Sequence, residues 1–108
     1  MEIKTNRDGH KKLWGDLAKS GSPYKFSSDI WDDPAYRHLI KRAKENECFA
    51  CAEARFDCVF CPISWFKNRR GYCCDFKSPF DKWDVSGSEK ERKRLAKIIR
   101  DLPWRKRR

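Results

Sequence analysis

The residues of this 108-residue chain with the most chemistry in them are its six cysteines. Cys48-x-x-Cys51 is followed, after six residues, by Cys58-x-x-Cys61, and after eleven more by the vicinal pair Cys73-Cys74. A two-residue gap lets two thiolates converge on one cation with little loop-closure cost. Two such pairs supply the four sulfurs of a tetrahedral zinc site, and four filled positions leave no place for a reactive water. The pattern therefore predicts a structural Zn2+ that folds the chain and does no chemistry. Its ligands are four of Cys48, Cys51, Cys58, Cys61 and Cys73, with Cys74 as a substitute, because a six-residue loop between the pairs is tight. His10 or His38 could enter instead, although a packed or solvated histidine is the simpler account of each. Buried cysteines without a ligand are the bland alternative. Three clusters in one short chain speak against it.

An iron–sulfur cluster is the alternative cofactor, since it too takes four thiolates. Cys61-Pro62 has the Cys-Pro step of such sites, but the spacing departs from the bacterial run. A redox dithiol lacks the βαβ context that usually surrounds it. Catalysis is not expected. Asp32 and Asp33 stand at a helix start, where capping explains them, and two histidines support neither a nucleophile–base pair nor a zinc nuclease.

These cysteines need elements to hold them. Residues 8–20 read as a first helix, capped by Asp8, with His10, Leu13, Trp14 and Leu17 on one face. A loop over 21–33 carries Tyr24, Phe26, Ile30 and Trp31, which look buried. Asp33-Pro34 starts a second helix with Tyr36, Leu39, Ile40 and Ala43 as its stripe. Nothing between Glu47 and Arg55 breaks that pattern, so it is expected to run through Cys48 and Cys51. Residues 57–75 read as irregular, and residues 76–87 as an ordered loop anchored by Phe76, Phe80 and Trp83. Ser88-Glu89-Lys90-Glu91 is a capping box for a last helix bearing Leu95, Ile98, Ile99 and Leu102, closed by Pro103. The expected fold is small and mainly α: three or four short helices around an aromatic core stapled by the cysteine-rich zinc site. The domain spans 1–102, and 103–108 form a basic tail. Leu13, Trp14, Leu17, Leu39, Ile40, Trp65, Leu95, Ile98 and Ile99 are the expected core.

Composition agrees with a stapled domain. Hydrophobic residues make up 39% of the chain, low for a fold held by its core alone, yet 14% is aromatic, which argues against disorder. No apolar run approaches the roughly 20 residues of a membrane span. The start, Met1 to Asp8, has no apolar segment of a signal peptide, so a reducing cytoplasm is expected.

Lys and Arg number 26 against 16 Asp and Glu, a formal charge of +10. The stretch from Glu89 to the end carries +7 of it. There Lys90, Lys93, Arg94, Lys97 and Arg100 stand clear of the apolar stripe, followed by Trp104, Arg105, Lys106, Arg107 and Arg108. Arg69 and Arg70, beside Tyr72, make a second patch next to the cysteines. Such cations track phosphates by counterion release, and an aromatic ring stacks on an unpaired base. A solvated helix face or an acidic protein partner would use the same residues. No helix-turn-helix, two-Cys two-His finger or RRM pattern is present.

The runs His10-x-x-Leu13-Trp14-x-x-Leu17-Ala18, Asn46-x-Cys48-Phe49-Ala50-Cys51 and Cys58-x-x-Cys61-Pro62-Ile63-x-Trp65 resemble small cysteine-rich proteins of bacteriophage and prophage genomes. Those proteins have no assigned activity. The resemblance implies a setting, the cytoplasm of an infected bacterium. Two partners fit it: nucleic acid, bound by an accessory or regulatory factor, or a host machine such as a defence nuclease or polymerase, bound by an inhibitor or modulator. A continuous basic stripe from Arg69-Arg70 to the last helix would favour the first. An exposed aromatic patch at Trp83 or Phe80, rimmed by charge, would favour the second.

Overall fold

Thr5 opens the first helix by a reciprocal pair of hydrogen bonds. The Asp8 amide donates to Thr5 Oγ1 at 3.2 Å, and the Thr5 amide donates to Asp8 Oδ2 at 2.9 Å. The capping box thus lies here, with Asp8 as its third helical residue rather than the cap. Helix α1 runs Asn6–Ser20 and ends at Gly21, whose φ of 70° is the left-handed cap that glycine adopts without penalty. The computed structural model describes residues 3–54, 61–65 and 78–104.

The segment expected as a loop after α1 holds two short 3-10 turns, Lys25–Ser27 and Asp29–Asp32, and the expected start of the second helix is a third, Pro34–Tyr36. Within it Ile30 and Trp31 are buried, whereas Tyr24 and Phe26 are 72% and 53% exposed, against the expectation that all four are covered. Helix α2 spans Arg37–Asn46 and does not continue through the cysteines. Glu47 takes a left-handed conformation, φ 52°. The Cys48 amide then reaches back to Ala43 O at 3.0 Å, and that of Glu47 to Lys44 O at 3.4 Å, a Schellman closure. A separate short helix, α3, covers Phe49–Glu53.

Residues expected as a loop around Phe80 and Trp83 form helix α4, Pro79–Val85. Ser78 Oγ accepts the Asp81 amide at 3.0 Å, and Pro79 occupies the first helical position, where its missing N–H costs nothing. Helix α5 spans Glu89–Arg100. Only half of its expected capping box forms: Ser88 Oγ accepts the Glu91 amide at 3.3 Å, but the Glu91 carboxylate pairs with Arg94. The described residues thus hold five α-helices where three or four were expected.

Helices α1 and α5 pack antiparallel. His10 near the start of α1 meets Ile99, and Gly21 at its end meets Glu89 and Lys93. Around this pair the aromatic core assembles. Trp14 lies edge-on to Trp83, centroids 4.9 Å apart, and Trp31 stacks on Phe49 at 5.4 Å. Such ring pairs contribute about 0.5–1.5 kcal/mol each beyond their buried area. Leu13, Trp14, Leu17, Trp65, Leu95 and Ile99 are buried as expected, and Leu39 and Ile40 are partly so. Ile98 is not core: it is 38% exposed, because a step of about 100° from Ile99 carries it to the edge of the stripe. Beyond the end of α5, Ile63 pairs with Trp104, and the Ser64 amide donates to Pro103 O at 3.0 Å. Pro103 and Trp104, placed with the tail by sequence, are tied into the fold.

Candidate metal centre and basic surface

The break after α2 presents the first cysteine pair. Because Glu47 turns the chain sharply, Cys48 arrives extended, at φ −150° and ψ 116°, and caps α3 with its own sulfur. Its Sγ accepts the Cys51 amide at 3.3 Å. The Cys51 thiol lies within hydrogen-bonding reach of the same sulfur, and this contact most strongly holds the Cys48 thiol down, to about 6. Burial opposes the shift, while the charge of Lys25 and the amides of Cys51 and Ala50 assist it. The Cys48 sulfur thus has amide donors in place and a second sulfur beside it. Amide donors of this kind orient and tune a ligating sulfur. The donor set suits Zn2+ or another thiophilic cation.

Among the sequence-expected ligands, Cys48 and Cys51 are brought together and Cys61 is buried. Cys58, Cys73 and Cys74 lie outside the described residues, as do Arg69, Arg70, Arg105, Lys106, Arg107 and Arg108. Among the described residues no group of three His, Cys, Asp or Glu side chains gathers. Neither histidine stands with the cysteines. His10 is buried and its Nε2–H donates to Ile99 O at 2.9 Å, edge-on to Trp104 at 5.4 Å. His38 is exposed and donates to Lys4 O at 2.7 Å.

The cations of α5 lie together. At about 100° per residue, Lys90, Lys93, Arg94, Lys97 and Arg100 share an arc of roughly 120° opposite Leu95 and Ile99. Three of them are engaged: Lys93 with Glu89, Arg94 with Glu91, Arg100 with Asp101. Arg92 does not join them, because it clamps the fold, donating to Gly21 O at 2.7 Å and Ser86 O at 3.1 Å. Trp104, expected as a stacking platform, is half-buried and packed against the core. Trp83, one of the two residues expected to form an apolar docking patch, is buried, and Phe80 is half-buried between Trp14, Trp65 and Trp83.

The chain matches no family model, no curated protein and no solved structure with which it was compared. Among the described residues, no helix is long and apolar enough to cross a membrane.

One group escaped the sequence reading. Helix α2 carries Arg37, Lys41, Arg42 and Lys44, all exposed. The i, i+4, i+7 spacing of Arg37, Lys41 and Lys44 was the available signal, passed over in favour of the apolar stripe beside it.

Proposed function

We propose that this chain is a non-catalytic, zinc-stabilised basic protein, encoded by a phage. It binds nucleic acid in the cytoplasm of the host cell as an accessory or regulatory factor. The observation that carries the binding reading is the arc of α5 cations, presented away from the core while Leu95, Ala96 and Ile99 anchor the opposite face. The zinc reading is supported by the Cys48–Cys51 turn, with its amide donors already in place, and by four further cysteines in the sequence. Cys48 and Cys51 would supply two ligands, and two of Cys58, Cys61, Cys73 and Cys74 the others. Zinc held by four thiolates contributes folding energy and no Lewis-acid chemistry. The test combines metal analysis of the purified protein with binding of labelled single- and double-stranded nucleic acid at two salt concentrations. One zinc per chain and steeply salt-dependent binding are expected. Absence of binding at low salt overturns the nucleic-acid reading, and absence of metal overturns the zinc reading.

A second reading, a protein-binding modulator of a host machine, is favoured by a different observation. Tyr24, Phe26 and Val85 are exposed, and Arg92 bridges the backbone near Tyr24 to that near Val85. Loss of a captured host protein on changing Tyr24 and Phe26 to Ser would support it.

A further inference from the structure

The cations that sequence analysis passed over form the more available anion-binding surface. On α2, Arg37, Lys41 and Lys44 fall within about 60° of arc and span about 10 Å of helix axis. Arg42 lies about 100° round the helix from Lys41, outside this stripe. Lys4 is pinned beside the first turn, its carbonyl accepting the His38 Nε2–H. Glu45 is the single acidic residue within the helix. None of the four α2 cations makes an ion pair among the described residues. Of the five cations in the α5 arc, only Lys90 and Lys97 are in that condition.

The difference matters for binding. A phosphate approaching Arg94 or Arg100 must first displace a carboxylate, and that carboxylate then stays nearby and repels it. Exposed ion pairs are weak, about 0–1 kcal/mol, so they reduce the α5 contribution without abolishing it. The stripe also has a structural cost. Like charges at i, i+4 are destabilising by roughly 0.2–0.5 kcal/mol per pair, and Arg37 stands at the positive end of the helix dipole. An anion laid along the stripe removes both penalties.

We propose that the Arg37–Lys41–Lys44 face of α2 is a principal phosphate-contacting surface for nucleic acid, ahead of α5. This rests on the nucleic-acid reading above. A membrane surface fits poorly, because a helix lying in a lipid interface needs its apolar side free. Here Ala43 is buried, and Leu39 and Ile40 pack on the core. What α2 offers outward is charge alone, which is what a phosphodiester backbone recognises.

The test is fluorescence anisotropy of the full chain with a labelled DNA duplex across a salt series. Arg37→Gln/Lys41→Gln/Lys44→Gln is compared with Lys90→Gln/Lys93→Gln/Lys97→Gln and with the unmodified protein. Each lost phosphate contact lowers the slope of log affinity against log salt by about 0.9, so the α2 variant flattens it by about 2.7. Between about 50 and 200 mM salt its affinity then falls about 40-fold less than that of the unmodified protein. The α5 variant changes the slope less. Lys41→Gln alone, expected to remove about 0.9, keeps the test independent of any folding loss in the triple variant. An α2 variant with unchanged slope, beside an α5 variant that loses it, overturns this inference and leaves the nucleic-acid reading standing. So does an α2 variant that loses binding to polyglutamate but not to DNA, which marks an acidic protein partner. An unmodified protein that ignores DNA at low salt removes both.

Discussion

Acidification should destabilise this protein through His10 before its carboxylates titrate. The imidazole is buried between α1 and α5, with Trp14 and Trp104 on its flanks and its Nε2–H given to the Ile99 carbonyl. Burial pushes its pKa down from 6.5 to about 4. The Ile99 hydrogen bond opposes the shift, and the charges of Lys11, Arg7 and Lys25 add to it. A histidine that resists protonation when folded but accepts a proton at 6.5 when unfolded lets the unfolded state bind more protons between those values. Stability therefore falls as pH drops below 6.5 and stops falling near 4. The full span corresponds to about 3 kcal/mol, of which about 2 is lost by pH 5. Against a typical total of about 5–15 kcal/mol that is a large share. The assay is urea unfolding between pH 8 and pH 5, for the unmodified chain and for His10→Gln, whose amide can keep the bond to Ile99 O. Carboxylates and Cys48 titrate alike in both proteins, so the difference in their pH slopes isolates His10. If His10→Gln loses as much stability by pH 5 as the unmodified chain, the buried neutral imidazole is refuted.

Other perturbations follow from particular contacts. The two glycines inside α1 should respond to alanine with opposite signs. A Cβ on Gly9 would stand 2.5 Å from the Phe49 ring, which is itself stacked on Trp31, so Gly9→Ala should destabilise by about 1–3 kcal/mol in urea unfolding. On Gly15 the new methyl meets only Arg100 Cδ at 3.6 Å, so Gly15→Ala should stabilise by about 0.5–1 kcal/mol, the ordinary helix-propensity gain. Glu47→Gly should raise the urea midpoint by the equivalent of about 1 kcal/mol, because only glycine holds φ 52° without strain. Cys48→Ala or Cys51→Ala should abolish both bound zinc and the cooperative thermal transition; a variant that keeps its transition refutes a structural metal.

What sequence shows of this fold depends on whether an element is marked by pattern or by contact. Helices α1 and α5 are legible because His10, Leu13, Trp14 and Leu17 in one, and Leu95, Ile98, Ile99 and Leu102 in the other, repeat at helical spacing over about two turns each. Helix α4 is too short for that, and its Pro79 reads as loop punctuation unless Ser78 is recognised as the cap that makes proline a start signal. The break at Glu47 carries no mark, since a glutamate in the left-handed region follows from the packing of α3 and not from residue preference. Tyr24 and Trp31 look alike in sequence, yet 3-10 winding buries one and exposes the other. The candidate site divides in the same way. Cysteine spacing is visible without a structure, whereas the Cys51 amide that prepares Cys48 is a consequence of the turn. Charge divides most sharply. Arg105 to Arg108 attract notice because they are consecutive, and they lie outside the described residues. Arg37, Lys41 and Lys44 are interrupted in sequence by Leu39, Ile40 and Ala43, and those interruptions are what anchor the helix that aligns them. A cation held in place has less freedom to lose on binding than one on an unconstrained segment.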